Sequence, residues 1–177
     1  WTFPTTTYYG PGRFNEIGNF CEEFDIKNPL IVTDSGSKDL PFIKKLIALL
    51  SKNSIKSDLF YNISPNPRDD EISKGCDQFK NGSHDSIIAI GGGSAMDGGK
   101  SICLTVNSET PLWDFEFEQP VPKITKENAF PKIITIPTTA GTGAETEITA
   151  MVTHLEKGMK FCIWHPDVRP IFTLVDQ

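Results

Sequence analysis

The chain has 177 residues, of which 38% are hydrophobic and 23% are charged, a balance that is typical of one globular domain rather than of a disordered chain. Its formal net charge of −6 argues against a nucleic-acid-binding surface, which needs clustered Lys and Arg. The longest apolar runs fall well short of the ~20 residues that a membrane span needs. We therefore expect a soluble domain with no nucleic-acid or membrane partner.

The sequence shows no metal-binding or nucleophilic arrangement. Its four cysteines lie far apart and form no CxxC pair, which favours reduced thiols in the cytoplasm over a zinc site or a disulfide framework. His84, His154 and His165 have no HxxxH or HxxE spacing, so we assign no metal ligand and expect each histidine at the surface or in a turn. We assign no catalytic residue, because no Ser-His-Asp or Cys-His arrangement is visible.

Strands and helices are predicted to alternate along the chain. The strands are short continuous apolar runs, and the helices carry apolar residues at three- and four-residue spacing. In chain order we predict strand 29–34, helix 40–52, strand 57–62, helix 68–81, strand 85–90, helix 94–106, a surface loop or flap over 107–131, strand 132–136, a β-hairpin within 146–164 and strand 171–175. Such βαβ units predict an α/β fold with a Rossmann-like, mostly parallel sheet and helices on both faces.

A glycine turn follows the strand predicted at 85–90. Gly91, Gly92 and Gly93 allow backbone N–H groups to approach a diphosphate closely, and the helix that follows offers its positive end. Ser94 can cap that helix and donate to a phosphate. A tight turn that only packs a helix on the sheet is the alternative.

Two better-known phosphate-binding loops differ from this turn in their spacing. A GxGxxG motif that begins at Gly91 would need glycine where Met96 stands, and a Walker A motif that ends at 99–101 would need glycine where Ser94 stands. Asp97 also argues against a triphosphate loop, because a carboxylate there would repel the ligand. In the first turn of a helix, Asp97 could instead meet ribose hydroxyls or stabilise the helix dipole. A P-loop nucleotide-binding protein that uses Lys100 is the more remote alternative.

Polar side chains follow two other predicted strands. Asp34 could accept both hydroxyls of an adenosine ribose and repel a 2′-phosphate, which favours NAD over NADP. NADP stays possible because the turn at 35–37 could accommodate a phosphate, and a turn-forming Asp is the alternative. After strand 132–136, Thr138, Thr139 and Thr142 alternate with small residues and could surround a ligand with hydroxyl and main-chain donors.

Two segments together resemble the iron-containing (group III) alcohol dehydrogenases. GGGSAMDGGK at 91–100 matches the GGGSxxDxxK pattern, and PTTAGTGAE at 137–145 matches the threonine–glycine segment of that family. Shorter matches follow in the expected order: YYGPG at 8–12, PLIVTD at 29–34, PNP at 65–67 and KFCIWHP at 160–166. The resemblance covers essentially the whole chain.

The resemblance implies a dehydroquinate synthase-like N-terminal domain over 1–177 that binds NAD(P). It also implies a C-terminal helical domain that holds a divalent metal, iron or zinc, through one Asp and three His. The full-length enzyme would interconvert alcohols with aldehydes or ketones and form a homo-oligomer. We expect the helical domain to lie beyond Gln177, so that this chain is part of a longer polypeptide, contains no metal ligand and has no turnover by itself.

The same resemblance implies roles for residues that match the motifs. Asp34 would hold the adenosine ribose, and Gly92, Gly93 and Ser94 would hold the diphosphate with Gly91 beside them. The residues that would line the adenine and diphosphate side are Thr138, Thr139 and Thr142, with Asn66 nearby. Asp97 and Lys160 would lie near the nicotinamide ribose. For Lys100 and Lys160, the commoner case is a solvated surface lysine with no role in binding.

Three alternatives stay open. A glycerol or sugar-phosphate dehydrogenase, or a dehydroquinate-synthase-like enzyme, has the same type of glycine turn. A non-catalytic nucleotide-sensing module would keep the fold without the chemistry. A P-loop protein would require Lys100 to reach a triphosphate.

Overall fold

The computed structural model describes residues 4–176; residues 1–3 and 177, the ends of the predicted domain, lie outside the described residues. The helices are α1 (Ile17–Glu23), α2 (Pro41–Lys52), α3 (Asp69–Asn81) and α4 (Gly93–Thr105). The strands are β1 (Thr7–Tyr9), β2 (Pro29–Asp34), β3 (Asp58–Ile63), β4 (Ser86–Gly91), β5 (Lys132–Pro137), β6 (Thr149–His154), β7 (Met159–Trp164) and β8 (Phe172–Val175). Short 3₁₀ helices cover Arg13–Glu16 and Leu112–Phe115.

Within the described residues, six strands form one sheet in the order β1-β8-β5-β4-β2-β3. Every neighbouring pair is parallel. At the centre, Ile88 of β4 lies beside Ile31 of β2 and Ile134 of β5. The predicted α/β fold with a mostly parallel sheet is therefore confirmed.

Helices cover both faces of this sheet because its central strands are apolar on both sides. In β4, Ile87 and Ala89 belong to a core with α3, α4 and the β6–β7 hairpin, whereas Ile88 and Ile90 belong to a core with α1 and α2. These four side chains are completely buried. Burial of an isoleucine side chain stabilises the fold by about 1.5–3 kcal/mol, and each face has at least one, so both faces contribute to stability.

Helix α4 lies unusually close to the sheet. A Cβ added to Gly99 would come within 2.6 Å of the Ala89 Cβ, and one added to Gly98 would come within 2.7 Å of Ile63. Glycine at these two positions therefore lets the helix pack directly on β4 and next to β3. The N-terminus of α4 is held in this way at the carboxyl end of the sheet.

The hairpin predicted within 146–164 is confirmed. Strands β6 and β7 pair antiparallel from Thr149–Trp164 to His154–Met159, and Gly158 in the turn adopts a φ of +61°, which favours glycine. The outer edge of β6 meets the loop before α3, where the Thr153 N–H donates to the Pro67 carbonyl at 2.7 Å.

The prediction that 107–131 is a surface loop or flap is wrong at Phe115. Phe115 is 1% exposed and packs in the core that contains α4. The Phe117 N–H donates to the Cys162 carbonyl at 2.8 Å, so the segment adds to the free edge of β7. An apolar cavity between helix and hairpin would otherwise remain, and Phe115 fills it. Phe117 itself is 58% exposed, as expected for a surface segment.

Two elements near the N-terminus were not predicted. β1 pairs with β8, as in Tyr8 beside Leu174, and α1 buries Ile17 and Phe20 against the sheet. A three-residue strand and a seven-residue helix are too short to show a clear periodicity. Among the described residues, no helix is both long enough and apolar enough to cross a membrane.

Candidate functional site

The candidate site lies where the chain changes direction across the sheet. After β2 the chain turns to α2 on one face, whereas after β4 it turns to α4 on the other face. Because β2 and β4 are neighbours, their two turns diverge and leave a crevice at their carboxyl ends. Such a switch point is where α/β sheets of this kind bind ligands.

The glycine turn forms one wall of the crevice. Gly91 has a φ of +143°, and a Cβ at this position would lie 2.9 Å from the Ala95 Cβ and 3.2 Å from Oδ2 of Asp34. Helix α4 begins two residues later, at Gly93, and no side chain in the described part of the chain caps it. The backbone N–H groups of its first turn are therefore available to an anionic ligand.

The threonine segment lies directly on this turn. The Thr138 N–H donates to the Gly91 carbonyl at 2.9 Å. Thr139 Oγ1 lies 3.4 Å from the Cβ position of Gly92, and the Thr142 side chain lies 3.1 Å from that of Gly93. The structure thus brings together the two segments that the sequence analysis paired.

Asp34 lies at the same point of the crevice. Its Oδ2, which faces Gly91, accepts from the Ser37 hydroxyl at 2.8 Å, and its Oδ1 accepts from the Gly36 N–H at 3.0 Å. The carboxylate therefore organises its own turn, as in the turn-forming alternative. It remains half-exposed, and each oxygen keeps a lone pair for a ligand hydroxyl.

Ser94 does not cap α4, contrary to one of its two expected roles. Gly92 is the residue at the cap position, and the Ser94 hydroxyl donates instead to the Pro65 carbonyl at 2.6 Å. The next residue, Asn66, is exposed. Ser94 thereby joins the turn after β3 to the glycine turn, because the second position of α4 points its side chain across the crevice.

An open cleft separates the turn after β3 from the hairpin. Asn66 and Ser64 lie on one side of it, and Lys160 and Thr153 lie on the other. Asn66 and Lys160, which are far apart in sequence, therefore face the same space. Both are exposed.

Lys100 is the main residue whose position differs from expectation. It is 0% exposed, although a surface lysine was the commoner case. Its Nζ donates to the carbonyls of Ala144 (2.9 Å) and Thr149 and lies 3.6 Å from Oδ1 of Asp97. The helical pattern contained a signal for this position, because Lys100 shares a face of α4 with buried Met96 and Cys103.

This burial excludes the P-loop interpretation. A Walker A lysine must reach a triphosphate, whereas Lys100 lies in the middle of α4 and is engaged by the segment before β6. Burial lowers the pKa of Lys100 and raises that of Asp97, while the attraction between the two side chains opposes both shifts. Asp97 lies in the second turn of α4 rather than the first, so it is placed too deep to act mainly on the helix dipole.

A second feature was not predicted from the sequence. An apolar cavity of about 280 Å³ opens beside Thr138, with walls from Phe14, Phe42, Ile90 and Ile136. Phe14 lies just before α1, and Phe42 lies in the first turn of α2. Because these segments are far from β4 in the sequence, only the folded sheet brings them to its carboxyl end.

The histidines do not form a metal site. His84 and His165 are buried, so a surface position is wrong for both. The expected turn position holds, because His84 directly follows the turn at 82–83 and the His165 carbonyl accepts from the Val168 N–H at 3.1 Å. His84 Nδ1 hydrogen-bonds the Asn28 carbonyl, and His84 Nε2 lies 3.3 Å from Oδ2 of Asp58. His165 Nε2 hydrogen-bonds the Pro122 carbonyl, and its Nδ1 accepts from the Asp167 N–H. Within residues 4–176, no group of three His, Cys, Asp or Glu side chains could hold a metal ion.

Comparison with known proteins identifies a family. The family model described as iron-containing alcohol dehydrogenase matches residues 4–177. The chain is 31% identical over 173 residues to a choline dehydrogenase of Bacillus subtilis, covering 98% of this chain and 42% of that protein. It is 30% identical over 177 residues to NADH-dependent butanol dehydrogenase A of Clostridium acetobutylicum, covering 99% and 44%.

Solved structures of similar proteins also match almost the whole of this chain. A 1,3-propanediol oxidoreductase superposes with a TM-score of 0.89 at 28% identity, covering 98% of this chain and 44% of that one. A sulfoacetaldehyde reductase from Bifidobacterium kashiwanohense in complex with NAD⁺ superposes with a TM-score of 0.88 at 27% identity, covering 99% and 45%. The chain therefore spans less than half the length of these relatives.

Proposed function

The chain belongs to the iron-containing alcohol dehydrogenase family, and we propose that it is the dinucleotide-binding part of an oxidoreductase that interconverts small alcohols with aldehydes or ketones. The observation that carries the proposal is the contact between the threonine segment and the glycine turn at the switch point of the sheet. The names of the relatives, which include a butanol dehydrogenase and a sulfoacetaldehyde reductase, support this substrate class.

The crevice fits a nicotinamide dinucleotide. A side chain at Gly91 would collide with Ala95, so the turn keeps its backbone accessible at the uncapped end of α4. In our proposal, Gly91, Gly92 and Gly93 bind the diphosphate through N–H groups, with Thr142 beside them. The Ser94 hydroxyl holds the neighbouring turn and donates to a phosphate only if it leaves the Pro65 carbonyl.

The two ends of the dinucleotide then lie on opposite sides of this turn. Asp34 accepts the ribose hydroxyls of the adenosine, and the apolar cavity beside Thr138 supports the adenine, with Thr139 the next residue along the loop. On the other side, Asn66 and Lys160 line the open cleft, where we place the nicotinamide ribose. Asp97 lies behind this cleft, close enough for the charge of Lys160 to act on it.

The proposed mechanism assigns this chain the task of binding and orientation. The bound nicotinamide supplies the hydride acceptor or donor. The backbone N–H groups of the glycine turn stabilise the diphosphate charge, and the hairpin forms one wall of the open cleft beside the turn. None of the described side chains forms a proton-transfer pair with a nucleophile, so we place the reacting alcohol outside this chain.

A divalent metal does not fit the described residues, because they provide no suitable ligand group. We propose that iron or zinc is held by a helical domain corresponding to the remaining length of the relatives. This chain then contributes no step at the metal. We also propose that the full-length enzyme is a homo-oligomer in the cytoplasm. Free cysteines, as found here, are compatible with that compartment.

Titration of the chain with NADH, followed by nicotinamide fluorescence, tests the proposal. We expect weak binding, tighter for NADH than for NADPH, and no alcohol oxidation by the 177-residue chain alone. Asp34→Asn should weaken NADH binding at least tenfold, since a hydrogen bond to a charged group is worth about 1.5–3 kcal/mol and every 1.4 kcal/mol is about a factor of ten in affinity. It should also reduce the preference over NADPH, because it removes the charge that repels the 2′-phosphate.

Asp39→Asn is the matched control, since Asp39 is an exposed carboxylate five residues further along the same turn region. It should leave both affinities unchanged. Equal loss in the two variants would indicate a general electrostatic effect and contradict the role of Asp34. Failure of the unaltered chain to bind either cofactor would contradict the proposed function, and measurable alcohol oxidation by this chain would contradict the division of labour.

A further inference from the structure

Lys100 is a buried charge that the proposed function does not use. Its side chain is fully buried in the middle of α4. An ammonium group is costly to remove from water unless it is paired and hydrogen-bonded. The position of its partners therefore indicates what the charge does in this fold.

Both hydrogen-bond partners lie where the chain leads from the main sheet into the hairpin. Lys100 Nζ donates to the Ala144 carbonyl, at the end of the threonine–glycine loop, and to the Thr149 carbonyl, at the start of β6. Asp97 Oδ1 lies 3.6 Å from the same Nζ and supplies the opposite charge. One side chain therefore ties both ends of a short segment to α4.

The same face of α4 carries the glycine turn. Gly93, Asp97 and Lys100 are spaced by four and three residues, which places them in one row on a helix. Thr142 contacts this row at Gly93, and Ala144 and Thr149 contact it at Lys100. The threonine–glycine loop thus runs along one helix face, with its contact to the turn at one end and its attachment to Lys100 at the other.

The Asp97–Lys100 pair also meets the outer edge of β6. The Asp97 carboxylate is stabilised by the Met151 backbone N–H, and the Lys100 ammonium binds the Thr149 carbonyl. The carbonyl of residue i and the N–H of residue i+2 point to the same side of a strand. The two side chains therefore occupy the place that a neighbouring strand would take, and they hold β6 against α4.

We propose that Lys100, together with Asp97, is a positioning residue that holds the threonine–glycine loop and the hairpin in register with the glycine turn. This inference rests on the proposed dinucleotide site. Lys100 does not contact the cofactor: its Cα is about 10 Å along the helix axis from that of Gly93, and its ammonium is enclosed by protein. Its effect on binding passes through Thr142 at one end and the hairpin residue Lys160 at the other.

Lys100→Met tests the proposal, because methionine keeps much of the volume but cannot donate. We expect the affinity for NADH to fall at least tenfold and backbone amide exchange in 138–154 to accelerate at least tenfold, while exchange in β4 is unchanged. AMP meets the threonine–glycine loop but does not reach the hairpin side, so it should lose less affinity than NADH. A purely stabilising role of Lys100 would accelerate exchange in β4 as well and would affect the two ligands alike.

Ser101→Ala is the matched control on the same helix. Ser101 is also fully buried, but its hydroxyl donates to the Asp97 carbonyl within α4, so we expect less than a twofold change in either affinity and no change in exchange over 138–154. If Lys100→Met weakens NADH binding without faster exchange there, Lys100 acts directly on the ligand and the proposal is wrong. Unchanged NADH affinity also overturns it.

The unaltered chain provides a test that does not depend on the folding of the variant. Heteronuclear NMR should show couplings across hydrogen bonds from the Lys100 ammonium to the carbonyl carbons of Ala144 and Thr149, both without ligand and with saturating NADH. Loss of either coupling on addition of NADH would show that Lys100 moves to the cofactor and would overturn the proposal. If NADH does not bind but both couplings are present, the proposed function fails and the attachment by Lys100 stands.

Discussion

Substitution of Gly91 by alanine tests the geometry of the glycine turn most directly. Gly91 has a φ of +143°, in a region that side-chain-bearing residues rarely adopt, and holding alanine there costs about 1–3 kcal/mol. The added Cβ would also lie 2.9 Å from the Ala95 Cβ and 3.2 Å from Asp34 Oδ2. Crowding of this kind in a packed region costs a further ~1–3 kcal/mol.

The two contributions predict a loss of about 2–6 kcal/mol in the free energy of unfolding, a large part of the ~5–15 kcal/mol of a typical domain. Urea unfolding followed by circular dichroism measures this loss. NADH titration at a temperature where Gly91→Ala is still folded should show weaker binding, because relief of the contact with Asp34 displaces the carboxylate from the crevice.

Gly141→Ala separates strain from crowding. Gly141 has a φ of +129°, but among the described residues nothing lies within 4 Å of its added Cβ. We expect this variant to lose only the conformational part, about 1–3 kcal/mol. If both variants lose the same free energy of unfolding, crowding at Gly91 makes no contribution. Wild-type stability of Gly91→Ala would refute the reasoning about the turn altogether.

Two further predictions concern packing and thiol chemistry. Phe115→Ala should destabilise the chain by about 3–5 kcal/mol in urea unfolding, whereas Phe117→Ala should change stability by less than about 0.5 kcal/mol; equal effects would contradict the packing of this segment. Burial raises the pKa of Cys21 to about 12 and raises that of Cys103, and alkylation requires the thiolate. Iodoacetamide at pH 8 should therefore modify Cys162 before Cys21 and Cys103, as measured by peptide mass spectrometry. If Cys21 or Cys103 of the folded chain is modified as fast as in urea, the burial of these thiols is contradicted.

The fold was predictable where local pattern and burial agree. Strands β2, β4 and β5 are continuous apolar runs that end at turn residues, and such runs fit only a sheet covered on both faces. The hairpin was predictable because Gly158 interrupts two alternating segments. By contrast, Phe115 lies in a segment rich in Pro and Glu, and its burial depends on a space that exists only after α4 and the hairpin meet.

The candidate site was predictable because its chemistry follows strand ends. Asp34, the glycine turn and the threonine segment each come directly after a predicted strand, and parallel strands bring their carboxyl ends to one edge. Two features were not predictable: the hydrogen bond from Ser94 to the Pro65 carbonyl, and the cavity wall formed by Phe14 and Phe42. Each brings together residues from different segments, and the distance between those segments depends on the order of the strands. Strand order depends on packing on both faces rather than on any one segment.

Lys100 shows where sequence reasoning about this site stops. The helical repeat correctly places Gly93, Asp97 and Lys100 on one face of α4, so their common direction follows from the sequence. What that face meets does not follow, because Ala144 and Thr149 lie more than forty residues away and approach α4 only through the turn from β5 into the hairpin. A lysine on an exposed face would be solvated, whereas the same lysine under a loop becomes its attachment. The difference between a surface charge and a positioning residue is therefore a property of the tertiary contact.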